Sequence, residues 1–310
     1  MVDVSKDPIQ VVFATDKNYV RPTCCAILSL LEKTEHPVEI KVLGVGIEPE
    51  DADQIHAIGK VFTNAKTTVH AVNPKKLQHA VSRFAHISTA TYLRLLIPNY
   101  FSGRVIYLDT DLFVRHDIGE LWASDLNQHT LGAVRDSHCT WELHLILNPP
   151  PAMENVVRRA RMHVSQIAKR TGVSAPQKYF NAGVLVIDVD QLKADPELLK
   201  RFQDIEGASA DGLFMDNDWL NIVFKDNVAY LPHHWNALKA NAKMNAAHVP
   251  ENVRRAYFQS MTDPAIVHFT GPYKPWNPDV PSDHPTFAGN AYVHEYLDVL
   301  KRTDALLTAI

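Results

Sequence analysis

The chain is organised around one stretch, Arg104-Val-Ile-Tyr-Leu-Asp109-Thr110-Asp111-Leu-Phe-Val114. Its first residues are apolar and rich in β-branched and aromatic types, which predicts a buried strand of a parallel sheet. That strand ends on Asp109 and Asp111, at the edge where open α/β sheets bind their ligands. Two carboxylates this close repel each other unless a cation lies between them. The stretch therefore predicts a divalent-metal site, although a short acidic motif also occurs in solvated turns.

Strand and helix patterns alternate along the chain. The sequence predicts strands over residues 9–14, 38–45, 66–72, 131–134, 184–189, 228–231 and 265–269, and helices over 22–33, 49–59, 91–96, 153–171, 196–202, 216–224 and 290–306. Because parallel strands need crossover connections, this predicts an α/β fold with a mostly parallel, doubly wound sheet flanked by helices. We expect a catalytic domain over 1–276, with an excursion at 137–178 near the acceptor site, and a coil-and-helix appendage over 277–310.

Composition narrows the class of protein. The 310 residues are 46% hydrophobic and 21% charged, which is typical of a globular chain with a sizeable core. A formal charge of −4 without a basic block argues against nucleic acid as a partner. Three cysteines do not make a disulfide framework, and no signal peptide or membrane-spanning run is evident. We therefore expect a cytoplasmic protein. The sixteen histidines show no recurring ligand spacing, so most should be surface or hydrogen-bonded residues.

A second apolar strand ends on His268, which Gly271 and Lys274 follow closely. An imidazole added to two carboxylates favours Mn²⁺, with Mg²⁺ as the alternative. Glycine would allow close backbone approach, and lysine would supply a cation for a diphosphate. The alternative is a structural histidine beside a surface lysine.

The turn after the first strand carries Asp16, Asn18 and Tyr19 at the first switch point of the sheet. A carboxylate, an amide and an aromatic ring there could bind a base and its ribose. Asp16 or Asn18 could equally be a helix N-cap. The chain has neither a Gly-x-Gly-x-x-Gly fingerprint after this strand nor a Gly-rich Lys-Ser/Thr loop.

Taken in order, six segments resemble glycosyltransferase family 8, with closest likeness to its bacterial lipopolysaccharide galactosyl- and glucosyltransferases. They are Phe13-Ala-Thr-Asp-Lys-Asn-Tyr19, His86-Ile-Ser-Thr-Ala-Thr-Tyr-Leu-Arg94, Tyr107-Leu-Asp-Thr-Asp111, Tyr179-Phe-Asn-Ala-Gly183, Asp216-Asn-Asp-Trp-Leu-Asn221 and His268-Phe-Thr-Gly-Pro-Tyr-Lys-Pro-Trp276. The resemblance covers about residues 9–276, except for 137–178.

The resemblance implies a retaining, Mn²⁺-dependent transferase of the nucleotide-diphospho-sugar (GT-A) fold, using UDP-galactose or UDP-glucose. Carried over by motif, the metal ligands would be Asp109, Asp111 and His268. The donor nucleotide would contact Asp16, Asn18, Tyr19 and Thr110, and its diphosphate Gly271, Lys274 and His86. The donor sugar would be surrounded by Arg94, Asp136, Asn181, Asp216 and Asn217. The acceptor would be a glycan or glycolipid, with lipopolysaccharide core inferred by analogy and peripheral membrane contact left open.

One position departs from the family pattern. The bacterial enzymes commonly carry Gln where this chain has Asn217, between Asp216 and Asp218. An amide is a poor nucleophile, which favours front-face attack over a covalent intermediate at this position. Either neighbouring aspartate stays open as a nucleophile. The acceptor would be read by the loops at 137–178 and 233–252.

Two other classes compete with a transferase. A haloacid-dehalogenase-type phosphatase also places Asp-x-Asp at a strand end, but its motif normally lies near the N-terminus, and the segments around Asp16 and His268 would go unexplained. A non-catalytic nucleotide-sugar-binding protein would keep the fold without turnover. That class is disfavoured because the chain carries both carboxylates together with His268 and Lys274.

Overall fold

The computed structural model describes residues 7–82, 87–211, 214–238, 251, 262–281, 283–284, 287 and 292–309. Its strands are β1 (Ile9–Asp16), β2 (Val38–Val45), β3 (Ala65–Ala71), β4 (Arg104–Leu108), β5 (Leu112–Val114), β6 (Leu131–Arg135), β7 (Phe180–Asp188), β8 (Ala229–Leu231), β9 (Ala237–Leu238) and β10 (Ile266–His268). Its α-helices are α1 (Val20–Leu31), α2 (Pro49–Lys60), α3 (Ile118–Trp122), α4 (Ser137–Leu147), α5 (Glu154–Thr171), α6 (Val189–Ala194), α7 (Pro196–Phe202), α8 (Ile205–Asp211), α9 (Asp216–Phe224) and α10 (Val293–Thr308).

The described part of the chain forms a seven-stranded sheet in the order β3-β2-β1-β4-β7-β6-β8. Neighbouring strands are parallel except around β7, which is antiparallel to both β4 and β6. The prediction of a mostly parallel α/β sheet is therefore confirmed. The three-stranded sheet β5-β10-β9, which the sequence did not predict, lies beside it.

The Asp-Thr-Asp stretch spans the two sheets. β4 ends at Leu108, and the chain begins β5 at Leu112, so the apolar residues after Asp111 belong to the small sheet. There β5 pairs with β10 in a register that sets Leu112 opposite His268. The Phe269 amide donates to the Asp111 carbonyl at 2.8 Å. Strand pairing thus brings His268 to the two aspartates.

Helices cover both faces of the large sheet, and a hydrophobic cluster fills each interface. α1 is buried along almost its whole length, including Cys24 and Cys25, because it is packed between the sheet, α2 and α10. Burial raises the pKa of both thiols to about 12, which keeps them protonated. α10 adds Tyr296 and Val299 to the core that α1 shares.

Residues 137–178 form two α-helices, rather than the single one predicted, and a short 3₁₀ helix, Pro176–Lys178. The Asp136 carboxylate caps α4 by accepting from the amides of His138 and Cys139 at 2.8 and 3.0 Å. α5 packs along α4 and also contacts α9. It ends at Gly172, whose φ of +65° is the left-handed conformation typical of a helix C-terminus. The segment predicted helical over 91–96 is a 3₁₀ helix, Thr89–Asn99.

Candidate active site

A cavity of about 410 Å³ opens at the carboxyl ends of β1 and β4. Most predicted site residues line it: Asp16, Tyr19, Arg94, Asp109, Thr110, Asp111, Asp136, Asn181, Asp216, Asn217, His268, Gly271 and Lys274. His86 lies outside the described residues. Asn18 is exposed and lies outside the cavity lining, and only its backbone amide, which donates to Asp16, takes part in the turn.

Asp109, Asp111 and His268 each offer one ligand atom within 4.8 Å of the others. His268 Nε2 lies 2.9 Å from Asp111 Oδ1 and 3.7 Å from Asp109 Oδ2. His268 is almost fully buried, whereas the carboxylates are partly open to the cavity. Two carboxylate oxygens and one imidazole nitrogen form a donor set that suits Mn²⁺.

Asn236 fixes which nitrogen of His268 faces the aspartates. The Asn236 amide nitrogen donates to Asn181 Oδ1 at 2.9 Å, so its oxygen faces His268 Nδ1, also at 2.9 Å. An acceptor at that position requires a proton on Nδ1. His268 Nε2 then points its lone pair at a carboxylate, and a proton or a metal ion must lie between them. This arrangement is typical of a metal-ligating histidine held by an outer hydrogen bond.

Gly183 leaves room for the cluster. A Cβ at this position would lie 2.3 Å from His268 Cε1 and 2.7 Å from Asp109 Oδ2. Both separations are shorter than any real contact, so a larger residue would displace two members of the cluster. The close approach explains why glycine follows Ala182 on β7.

Each aspartate of the cluster is paired with a cation, Asp111 with Lys274 and Asp109 with Arg94. Lys274 Nζ lies 2.5 Å from Asp111 Oδ2, and it also donates to the Phe269 carbonyl at 2.8 Å. Burial opposes ionisation of Asp111, but the charges of Lys274 and His268 outweigh it and hold the pKa of Asp111 well below its usual range. The Tyr107 hydroxyl and Arg94 Nη2 donate to Asp109 Oδ1 at 2.6 and 2.7 Å.

Arg94 joins the metal cluster to α9. Arg94 is buried, and its Nε lies 2.8 Å from Asp216 Oδ2. The Nε–H donates to the Thr91 carbonyl at 3.0 Å. The contact of Arg94 with Asp216 is therefore an ion pair rather than a hydrogen bond. The Thr91 hydroxyl donates to Asp216 Oδ1 at 2.6 Å. Burial nevertheless raises the pKa of Asp216 to about 6, because Arg94 and Thr91 offset it only in part and Asp109 adds repulsion.

The side chains of the two residues after Asp216 are hydrogen-bonded to other groups of the protein. Asn217 Oδ1 accepts from the Ala182 amide at 2.6 Å, and its Nδ2 donates to the Tyr179 hydroxyl at 2.6 Å. Asp218 is buried outside the cavity lining, where it accepts from Tyr179 and from the Phe214 amide. The carboxylate of Asp216 therefore lines the cavity, whereas that of Asp218 does not.

The turn after β1 contributes Asp16 and Tyr19 to the cavity lining. Asp16 caps the 3₁₀ helix Lys17–Tyr19 by accepting from the Asn18 amide at 2.8 Å. The Tyr19 ring packs edge-on against Trp276, with centroids 5.9 Å apart. Gly271, at φ +91°, adopts a conformation that side chains rarely allow, beside the cavity.

Comparison with known proteins identifies the family of this chain. Residues 10–279 match the family model for glycosyl transferase family 8. The chain belongs to this family. General stress protein A of Bacillus subtilis (strain 168) is 29% identical over 309 residues, covering 96% of this chain and 95% of that protein. A putative glycosyltransferase of Haemophilus influenzae is 21% identical over 272 residues, covering 87% and 73%.

Solved structures agree on the fold of this family 8 chain. The crystal structure of galactosyltransferase LgtC in complex with donor and acceptor sugar analogs superimposes with a TM-score of 0.72 at 24% identity, covering 95% of this chain and 96% of that one. The apo-form glycosyltransferase GlyE of Streptococcus pneumoniae gives 0.63 at 21% identity, covering 98% and 63%. The chain therefore has the GT-A fold, and family membership makes it a sugar transferase with a nucleotide-sugar donor and a glycan acceptor.

Sequence reasoning did not single out several residues that shape the site of this family 8 enzyme. Tyr107 and Thr91 lie within family motifs without a predicted role of their own, and Asn236 lies in the predicted acceptor loop at 233–252, of which 239–250 and 252 are outside the described residues. Each acts on a candidate residue through a contact between distant parts of the fold, for which local sequence carries no signal. Among the described residues, no helix is long and apolar enough to cross a membrane.

Proposed function

We propose that this family 8 enzyme transfers galactose or glucose from a UDP-sugar to a hydroxyl group of a glycan or glycolipid, with retention of configuration and with Mn²⁺. The observation that carries the proposal is the cluster of Asp109, Asp111 and His268 beside Lys274 at the edge of the cavity. Its donor set, the lone pair of His268 Nε2 and the space kept by Gly183 all fit a divalent ion. When bound, the ion would neutralise the diphosphate as it leaves.

The remaining cavity residues would stabilise the charges that develop during transfer. Lys274 would exchange Asp111 for the diphosphate and stabilise the leaving group. Asp216 faces the cavity and would stabilise positive character on the sugar ring, while Arg94 holds its carboxylate in position. The Tyr19 hydroxyl remains a donor, because burial together with Asp111 and Asp16 raises the pKa of Tyr19. The predicted uridine contacts of Asp16, Asn18 and Tyr19 remain part of the proposal.

Retention through front-face attack is supported by the hydrogen bonds of α9. The Asn217 amide is bonded on both sides, and Asp218 is bonded to Tyr179 away from the cavity. Asp216 is held by Arg94 and Thr91. A covalent intermediate would require one of these carboxylates to leave its partners. Front-face attack requires no such movement, since the leaving diphosphate accepts the acceptor proton.

The acceptor site is proposed at the cavity wall formed by the excursion at 137–178, which begins with α4 directly after Asp136. We propose lipopolysaccharide core or another surface glycan as acceptor. The fold likeness to LgtC makes UDP-galactose the first donor to assay. The catalytic domain is proposed to span 1–276, with 277–310 as an appendage whose helix packs on α1. Cytoplasmic location and peripheral membrane contact stay predictions.

A panel of UDP-sugars tests the proposal. We expect Mn²⁺-dependent release of free sugar from UDP-galactose or UDP-glucose. Asp109→Ala and Asp111→Ala should abolish it and leave far-UV circular dichroism unchanged, whereas Asp53→Ala on the exposed face of α2 should retain it. Near-normal turnover by either site variant would overturn the metal assignment. A pure binding protein would release no sugar, and a trapped aspartyl-phosphate would instead indicate a phosphatase.

A further inference from the structure

A second cluster of metal-ligating side chains lies in the cavity wall, away from the Asp109 cluster. It consists of His138 and Glu142, four residues apart on α4, and His163 on α5. Four-residue spacing places two side chains on one face of a helix, and the packing of α5 against α4 brings the third to them. His138 and His163 line the cavity, while Glu142 is buried behind them.

One distance within this cluster matches the geometry of a tetrahedral ion. One ligand atom from each residue lies within 4.8 Å of the others. His138 Nε2 is 3.4 Å from Glu142 Oε1. That separation is too long for a good hydrogen bond, but it matches the edge of a tetrahedron whose metal–ligand bonds are about 2.0–2.1 Å. The other Glu142 oxygen is hydrogen-bonded directly to His163 Nδ1, a contact that a bound ion would replace.

Both imidazole rings are held in place by aromatic neighbours. His138 stacks on Trp141, with centroids 5.6 Å apart and an interplanar angle of 25°. His163 packs edge-on against Phe214 at 5.4 Å. Among the described residues, His163 Nε2 is buried and has no hydrogen-bond partner, so the hydrogen bonding of this ring is directed at the cluster. Ligand orientation is therefore largely preformed.

We propose that His138, Glu142 and His163 bind Zn²⁺ or a similar borderline divalent ion, which clips α4 to α5. Two nitrogens and one oxygen are softer than the two oxygens and one nitrogen of the Asp109 cluster, so the two sites should differ in metal preference. Three protein ligands leave a fourth position open. Because the two histidines line the cavity, water or a glycan hydroxyl could complete the coordination there.

The clip would stiffen one wall of the active site. α5 contacts α9, which carries Asp216, and both α4 and α5 contribute side chains to the cavity lining. A metal ion that joins α4 to α5 would therefore restrict how far this wall opens. Binding at this cluster does not depend on the proposed transferase chemistry, and it is measured without any sugar nucleotide.

Zn²⁺ titration of the full chain by calorimetry tests the proposal, with Asp111→Asn as the background that removes the other cluster. We expect one equivalent of Zn²⁺ to bind in this background. Adding His163→Gln or His138→Gln should weaken Zn²⁺ binding by about a hundredfold or more. Each change removes a metal ligand, which costs more affinity than removing a residue that only orients a ligand. His144→Gln is the matched control, because it removes an imidazole from α4 outside the cluster.

Two further readouts make each outcome decisive. Zn²⁺ should raise the melting temperature of the Asp111→Asn protein and slow amide exchange over 137–171, and His138→Gln should remove both effects. The His138 side chain is about half exposed, at 48%, so this variant should fold even if His163→Gln does not. Unchanged Zn²⁺ affinity in His138→Gln, or no binding in the Asp111→Asn background, would overturn the proposal.

Discussion

Lys274 Nζ and Asp111 Oδ2 lie 2.5 Å apart, so a lysine holds the carboxylate that a metal ion would share. Lys274 is buried and its ammonium is bonded to Asp111 and to the Phe269 carbonyl. A cation arriving at the cluster must compete with this ion pair. Under the proposed function, Lys274 would then turn toward a second anion, the diphosphate of the donor.

Removing the charge of Lys274 should separate metal affinity from turnover. We expect Lys274→Met to bind Mn²⁺ about tenfold more tightly without donor, since a charged hydrogen bond of about 1.5 kcal/mol no longer competes. Turnover should fall at least about a hundredfold, because the leaving diphosphate loses a cation. Electron paramagnetic resonance titration and a hydrolysis assay measure the two. Lys17→Met is the control, because this lysine is exposed and lies outside the cavity lining. Weaker Mn²⁺ binding in Lys274→Met would refute the competition.

Asn236 should govern metal affinity without contacting the metal. Asn236→Ala removes the acceptor for the His268 Nδ1 proton, and we expect Mn²⁺ affinity to fall by about tenfold to a hundredfold. Asn236→Asp keeps an acceptor there and should retain more affinity than the alanine variant. Both are compared by Mn²⁺ titration after their melting temperatures are checked. Equal affinity of Asn236→Ala and the unaltered protein would show that His268 needs no such support.

Adding one methyl group at Gly183 should disrupt the metal cluster. The new Cβ would overlap His268 and Asp109, so Gly183→Ala should lose about 1–3 kcal/mol of stability and at least about tenfold in Mn²⁺ affinity. Gly207→Ala is the matched control, because its Cβ would overlap Asp204 and Trp219 at 2.6 and 2.8 Å, away from the cavity. It should lose stability but not metal affinity. Parallel losses of affinity in both variants would contradict the local explanation.

The raised pKa of Asp216 should appear in the pH dependence of stability. An unfolded aspartate has a pKa of about 4, whereas Asp216 in the fold has a pKa of about 6. The folded chain keeps this proton to higher pH, so the stabilising contribution is full below about pH 4 and is lost as pH rises through about 6. The loss is roughly 3 kcal/mol.

Asp216→Asn should lack this contribution. Urea unfolding of the metal-free protein at about pH 4 and about pH 7 is expected to give a smaller decrease, or a larger increase, in the free energy of unfolding for the variant than for the unaltered protein. Groups that do not contact Asp216 titrate alike in both proteins, so the difference between the two pH dependences comes from Asp216 and its partners Arg94 and Asp109. The same pH dependence in both would show that Arg94 neutralises this carboxylate fully.

The sequence predicted those strands and helices whose apolar pattern and end residues are local features of the chain. The bounds of β2, α7 and α9 were predicted to the residue, because apolar periodicity and acidic or proline starts mark them. β9 was not predicted and α4 was missed, since a two-residue strand and a helix of mixed pattern depend on tertiary contacts. The Asp109 cluster followed from motifs, whereas Asn236, Gly183 and the His138 cluster required the packed fold.

Pairing of β5 with β10 has a consequence for synthesis of the chain. His268 lies 157 positions after Asp111, so the three proposed metal ligands can come together only after both distant segments have been synthesised. Domains fold largely from the N-terminus during synthesis, and distant strand pairing is slow because a long loop must close first. A nascent chain ending before β10 would present both aspartates without their imidazole. Tight metal uptake would then act as a checkpoint, available only to polypeptides that have finished folding.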